Sequence, residues 1–508
     1  MADMIITGFS SILLNPWNIL LIFVGTLIGI IFGAIPGLTA TMAISICLPL
    51  TYSMNQFESL SLLMALYIGG ISGGLISAIM LNIPGTSSSV ATCFDGAPLA
   101  SKGQAAKALT TAIWASLFGT FFGLAALIVI APQLAQIALK IGPFEYCGLT
   151  ILSLSLVVAL TGHDTAKGII SAVIGIMFAT VGIAPVDSVK RFTLGFYQLN
   201  NGFDLLVVLI GIFAITEVLK IAASVRDPNR AELREQTVKM KGFGVTFTHF
   251  KRYFKNLIRS SAIGTCIGIL PGVGGGVSCM VSYAAARSSS KCPDSFGKGN
   301  PHGIVASEAA NNACIGGALI PLLTLGIPGD TPAAMLLGAL MIQGIAPGPL
   351  IFEKHGEIMY AIYAAVGISA IFMVLLESLG TNIFIKLLKI PSCYLMPMII
   401  VLCSVGAFSS NSRMFDVWCV LVFGILGLSM AKSHYPLPPL VLGYILGPIL
   451  EENLRRSMQY MTGGNYVEIL AHPAAIVMVL LAVLLTLYFV RKNMRHEKSI
   501  LVAVPLFL

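Results

Sequence analysis

The chain has 508 residues, of which 56% are hydrophobic and 10% charged, and its formal net charge is +8. Soluble domains carry about a quarter of their residues as Asp, Glu, Lys and Arg, so this composition, with a mean hydropathy of +0.90, excludes an ordinary water-soluble globule. The basic excess is local, because Lys220 to Arg259 holds ten Lys/Arg against three Asp/Glu; this is the signature of a cytoplasmic loop between membrane spans and a poor basis for nucleic-acid binding.

No Lys or Arg precedes Lys102, so the first apolar stretch lacks the charged start of a secretory signal and is expected to be retained as a span. Trp17 to Leu50 is broken by Gly33-Ala-Ile-Pro36-Gly37, and Leu60 to Ile83 contains two Gly pairs and runs into Pro84-Gly85. Ala105 to Ala131, Phe144 to Leu160, Lys167 to Ala184 and Phe203 to Ala223 follow as unbroken runs near the roughly 20 residues that cross a bilayer. After the basic stretch, Leu257 to Ala286 is broken at Pro271-Gly272; read as a crossing helix, it would place residue 287 on the face opposite residue 230. Four more runs, Ile358 to Leu379, Ile390 to Phe408, Met414 to Met430 and Ala475 to Val490, lead to a tail with Arg491, Lys492, Arg495 and Lys498. The expectation is an all-α polytopic membrane protein with 11 to 14 membrane elements, some of them broken helices or re-entrant hairpins.

The two halves align. Ser72 to Thr86 lies over Gly316 to Asp330 with 7 identities in 15 at an offset of 244, and Pro36 matches Pro271 at an offset of 235. The division expected is a first repeat (1–223), a basic cytoplasmic linker (224–256), a second repeat (257–490) and a cytoplasmic tail (491–508). The repeats are read as inverted, with an additional crossing near Leu437 to Leu450 bringing both basic flanks to one face.

Four Pro-Gly pairs, Pro36-Gly37, Pro84-Gly85, Pro271-Gly272 and Pro328-Gly329, occupy matched positions. Each leaves backbone groups without helical partners where the bilayer supplies no water, which points to a binding site at the repeat interface. Small and hydroxyl residues follow each break: Thr39 and Thr41, Thr86 and Ser87, Gly274 and Gly275, and Thr331. Half-helices starting there would aim free N–H groups and a positive dipole end at an anion such as a carboxylate; the competing reading is that these Ser/Thr are helix caps. Glu308, Asn311 and Asn312 share one helix face and suit ion coupling, unless Glu308 is a first-turn residue at the water boundary; Asp330 is either a cap or a cation ligand. Glu377 and Asp416 stand alone in apolar spans and read as interfacial or structurally paired. Ten Cys at least ten residues apart, seven scattered His and the absence of HExxH or Walker A patterns indicate no metal site, no catalytic residues and no nucleotide chemistry.

Gly33-Ala-Ile-Pro-Gly-Leu38, Leu81-Asn-Ile-Pro-Gly-Thr86 with Asp95-Gly96, Phe296-Gly-Lys-Gly299 with Glu308-Ala-Ala-Asn-Asn312, and Gly316 to Gly329 closely resemble the large membrane subunit of the tripartite tricarboxylate transporter family. The resemblance runs from about Trp17 to Val490. It implies a multi-pass protein of the bacterial inner membrane, a permease working with a small four-helix membrane subunit and a periplasmic solute-binding protein. It further implies import of citrate or a related carboxylate, with Na⁺ or H⁺ as coupling ion, no other cofactor, and an elevator-like movement of the hairpins by analogy. Asp330-Thr331-Pro332, and Thr39-Ala40 where Gly-Pro is common, depart from the family pattern. A polytopic membrane enzyme and a passive anion channel are the alternatives from other classes.

Overall fold

The computed structural model describes residues 2–160, 164–184, 187–224, 247–387, 392–461 and 466–503. The first half opens with α1 (Ala2–Leu13) and α2 (Pro16–Ala34), the latter started by the Asn15 side chain accepting from the Trp17 N–H. α2 ends at the first Pro-Gly, and the chain turns into α3 (Ala40–Cys47). An Asn55/Glu58 capping box starts α4 (Gln56–Ser72), which continues past Gly73 as α5 (Gly74–Leu81). α6 (Val90–Leu99), α7 (Ala105–Ala138), α8 (Pro143–Leu160) and α9 (Thr165–Ala179) follow. A two-stranded hairpin, β1 (Gly182–Ile183) and β2 (Lys190–Arg191), precedes one long helix written as α10 (Leu205–Leu209) and α11 (Thr216–Ser224), joined by a wide π turn at Ile210–Ile215.

The second half contains α12 (Phe247–Ile269), α13 (Gly274–Ser288), α14 (Pro301–Leu325), α15 (Thr331–Ile342), α16 (Ile351–Lys354), α17 (Gly356–Leu387), α18 (Ser392–Asn411), α19 (Met414–Lys432), α20 (Leu437–Tyr460) and α21 (Pro473–Ala503). Among the described residues, seven helices are long and apolar enough to cross a membrane and six further apolar helices are shorter. The protein is an all-α polytopic membrane protein. The expected range of 11 to 14 elements counted short and re-entrant pieces together with full spans.

Two helices extend into the stretches expected between and after the repeats. α12 begins at Phe247, inside the stretch read as linker, because Lys251, Arg252, Lys255 and Arg259 are good helix formers whose aliphatic stems tolerate an apolar neighbourhood. α21 runs through the stretch read as a tail as far as Ala503. The rest of the linker, 225–246, lies outside the described residues.

Glycines set the helix contacts, since small residues let membrane helices approach to backbone distance. Gly25, Gly29 and Gly33 of α2 meet Leu62, Leu66 and Gly70 of α4 in that order, so these helices run parallel; Gly264 and Gly268 of α12 meet Ala310 and Cys314 of α14 in the same sense. α13 runs the other way along α14, with the Ser278 and Ser282 hydroxyls donating to the carbonyls of Ala310 and Ala306. α12 and α13 are therefore a hairpin that returns to the end from which it entered. Of the two readings of such an interrupted run, a broken crossing helix or a re-entrant segment, Leu257 to Ala286 takes the second, and the crossing drawn for it does not occur. The physical reason is the turn at Gly272 and Gly274, whose φ angles of +70° and +66° reverse the chain where a side chain would be strained.

Equivalent pairings recur in the two halves. α2 packs on α4 as α12 packs on α14, α4 packs on α17 as α14 packs on α7, and α19 packs on the α10–α11 helix as α9 packs on α20. α20 packs on α9 and α8, and α21 packs on α8. The matched helices α4 and α14 run in opposite directions. Gln56 at the start of α4 donates to the Gln343 carbonyl, and Gln343 donates to that of Thr51. Gly348, a few residues further on, donates to Leu323 at the finish of α14.

The tightest of these contacts is testable. A Cβ on Gly175 would lie 1.9 Å from the Leu440 carbonyl oxygen, whereas one on Gly367 would meet nothing closer than 3.7 Å. Gly175→Val should cost at least the roughly 1–3 kcal/mol of an overpacked core and lower the thermal unfolding midpoint of detergent-purified protein. Gly367→Ala should leave that midpoint unchanged or raise it, by up to about 1 kcal/mol of helix propensity.

Candidate functional site

The sequence after each Pro-Gly break begins a helix, and all four beginnings face one cavity of 930 Å³. Its wall includes Thr39 and Thr41, Thr86 to Ser88, Gly272 to Gly276, and Asp330 to Pro332. The Thr39 hydroxyl accepts from the Met42 N–H and caps α3. Thr86 and Ser89 form a reciprocal cap ahead of α6, and Asp330 caps α15 by accepting from the Ala333 N–H at 2.8 Å. Residues that cap these helices thus also line the cavity, while α13 begins without a side-chain cap.

The breaks are held by close backbone contact. A Cβ on Gly85 would lie 2.2 Å from the Gly33 carbonyl oxygen, and one on Gly329 would lie 2.4 Å from that of Gly268. Gly37, Pro84, Gly85, Pro328 and Gly329 do not line the cavity. Across the halves, Thr41 Oγ1 and Thr331 Oγ1 are 3.1 Å apart, and the Tyr67 hydroxyl donates to Asp330 Oδ2 at 2.6 Å. The open end carries Asp164, Lys167, Glu217, Lys220 and His434. Among the described residues no Lys, Arg or His is buried.

Glu308 is fully buried behind α6, not at a water boundary. Thr92 donates to Oε1 and Ser116 to Oε2, the latter at 3.1 Å, while the Asn312 amide donates to the Glu308 main-chain carbonyl at 3.1 Å. Glu308, Asn311 and Asn312 do not line the cavity. Asn311 reaches it nearly, because a Cβ on the cavity residue Gly275 would stand 2.7 Å from Asn311 Oδ1. Both polar atoms of the Asn311 amide are buried without a hydrogen-bond partner.

The chain matches the family described as "Tripartite tricarboxylate transporter TctA family" over residues 19–442. The chain belongs to that family. It is also 35% identical over 468 residues to an "Uncharacterized 52.8 kDa protein in TAR-I ttuC' 3'region" of Agrobacterium vitis, a match covering 92% of each chain. A second Agrobacterium vitis protein, "Uncharacterized protein in TAR-II ttuC' 3'region", is 37% identical over 212 residues, 42% of this chain and 87% of that one. No solved structure matches. Membership makes this TctA-family chain a component of a tricarboxylate transporter and places it in a transporter family, not an enzyme family.

Two family motifs have a structural role in this TctA-family chain. Buried Asp95 accepts from the Tyr283 hydroxyl at 2.8 Å and from the N–H groups of Gly297, Gly299 and Asn300 at 2.9, 2.8 and 2.7 Å, which clamps the loop into α14. Asp416 is paired as expected of a structural acid, with Arg413 at 3.1 Å. Tyr67, Thr92 and Ser116 were missed in the sequence because single polar residues inside apolar runs carry no spacing signal. Lys167 and Lys220 were missed because they stand at span ends. A second cavity of 750 Å³ lies beyond α15, whose first residues line the first cavity while Leu337 and Met341 line the second.

Removing the Tyr67 hydroxyl from a buried carboxylate should cost about 1.5–3 kcal/mol, against about 1 kcal/mol for the neutral Thr41–Thr331 contact. Tyr67→Phe is therefore expected to lower the thermal midpoint of the purified protein more than Thr41→Val does.

Proposed function

We propose that this chain is the permease of a binding-protein-dependent secondary transporter that imports citrate or a related carboxylate across the bacterial inner membrane. Its partners would be a small four-helix membrane subunit and a periplasmic solute-binding protein. The observation that carries this reading is the convergence of the four helix beginnings on a single cavity, where hydroxyls and main chain stand at the beginnings and Lys167, Lys220 and His434 also line the wall. Hydroxyl and main-chain donors hold an anion without the cost of a buried base, and three of the four ends carry no acid. Thr39, Thr41, Thr86, Ser87, Thr331 and the main chain of Gly272, Gly274 and Gly275 would bind the carboxylates.

Asp330 at the fourth end disfavours a second anion there, and together with Glu308, Asn311 and Asn312 it would serve the coupling Na⁺ or H⁺. The opposed directions of α4 and α14 and the recurring pairings support inverted repeats. Under the positive-inside rule the end with Lys220 faces the cytoplasm, so the larger cavity is the inward-facing one and α15 is the barrier between it and the second cavity.

Cells carrying this chain with its small subunit and binding protein should take up labelled citrate saturably and against its gradient. Collapse of the Na⁺ and H⁺ gradients should abolish accumulation; uptake that survives would overturn the coupling. Losing two neutral hydrogen bonds of about 1 kcal/mol each, the double variant Thr39→Val/Thr86→Val should raise KM by about tenfold or more. Glu308→Gln should remove gradient dependence at unchanged expression.

A further inference from the structure

The sequence left Glu377 as an interfacial or paired acid, and it is neither. It lies on α17 with its side chain fully buried, and neither carboxyl oxygen has a hydrogen-bond partner. Ser72, the last residue of α4, faces it across the α4–α17 contact. The Ser72 hydroxyl is likewise fully buried and without a partner. Ser72 follows Ile71, which lines the cavity, and precedes Gly73, where α4 passes into α5. Glu377 therefore stands one layer behind the cavity wall, at a helix junction.

The charges around it are few. Helices α2 and α5 bring no titratable side chain to α17, and α4 brings Glu58 at its capping box and Tyr67, which is engaged with Asp330. α7 brings Lys107, bonded to Gln104 at an exposed end, the described side chains of α1 bring no titratable group, and α16 brings Glu353 and Lys354 at the opposite end of α17. On α17 itself are Glu357, Tyr360, Tyr363 and Lys386. Glu308 is within electrostatic reach, and α7, which bonds it through Ser116, packs on both α14 and α17.

An ionised carboxylate at this position would have no counter-charge and at best the one Ser72 hydroxyl as a donor, a cost that proteins avoid by neutralising the group. A hard cation needs several oxygens at once, and among the described residues no group of three or more His, Cys, Asp or Glu side chains surrounds the acid, so a cation suits this place poorly. A proton meets the need, because the neutral acid supplies an O–H that Ser72 can accept. We propose that Glu377 is a second coupling position of the transport cycle, one that takes a proton from water on one side and returns it to water on the other, linked to Glu308 by their mutual repulsion when both are ionised. This deepens the reading of the chain as a coupled importer and rests on it for the cycle, though not for the protonation.

Two measurements test it. In infrared spectra of the full-length chain in lipid nanodiscs, the wild type should show a protonated-carboxyl carbonyl band that fades as pH rises, and E377Q should lack it. In cells carrying the small subunit and binding protein, an imposed inward pH gradient should drive citrate accumulation by the wild type, while E377Q should at most equilibrate it. Gln is isosteric with the neutral acid, so E377Q should fold. If it does not, Ser72→Ala retains the carboxyl and should move its band to the position of an acid with no hydrogen bond. A band unchanged in E377Q, a band that neither titrates nor moves in S72A, or wild-type accumulation by E377Q overturns the proposal. A wild type that never accumulates citrate, yet shows the titrating band, would overturn the importer reading and leave the protonation of Glu377 standing.

Discussion

Main-chain N–H and C=O groups released where a helix breaks inside an apolar bundle find no water there, and the architecture follows from how they are satisfied. Each Pro-Gly pair stops one helix and starts another. The stopped ends are closed by neighbouring backbone at glycine contacts, as where Gly33 meets Gly85 and Gly268 meets Gly329. The started ends are closed partly by caps, at Thr39, Thr86 and Asp330, and partly by opening onto a shared cavity. One constraint thus produces both the hairpins and the site. It also explains why the hairpin tips come together: breaks pooled in one place share one polar cavity instead of requiring four.

The cavity separates two kinds of polar chemistry. Around the helix beginnings its wall carries hydroxyls and main chain, with the charged Asp164, Lys167, Glu217 and Lys220 also lining it, while the carboxylates Glu308 and Glu377 lie behind that wall, and Asp330 marks the one helix beginning that is acidic. On the proposed reading, substrate and coupling charge would act through α4, α6 and α14 without meeting directly. The absence of buried Lys, Arg or His among the described residues leaves the carboxylates to be balanced by hydroxyls, protons or cations from solution. Such balancing can be reversed during a cycle, which a fixed salt bridge at the same depth would resist. Asp95 shows the contrast. Its four donors hold it permanently, and its role is to fasten a loop.

Much of this was legible in the residues taken one after another. Apolar runs of bilayer length, the basic excess near Lys220 and the four Pro-Gly pairs are local properties, and local chemistry decides whether a segment enters a membrane and where its helices stop. The same holds for the hydroxyls after each break, since a residue's capacity to cap or donate belongs to the residue. Direction was not legible. A broken run such as Leu257 to Ala286 has the length of either a crossing helix or a hairpin, and only the packing of Ser278 and Ser282 back along α14 decides between them. Nor was partnership. Glu308 and Glu377 look alike as single acids in apolar sequence, yet the fold brings Thr92 and Ser116 to one and a lone unpartnered Ser72 to the other. The sequence by itself determined which segments lie in the membrane and which of their positions are polar. The tertiary structure decided which of those polar groups meet, because hydrogen-bond partners come from helices hundreds of residues apart and a desolvated charge is defined by its surroundings.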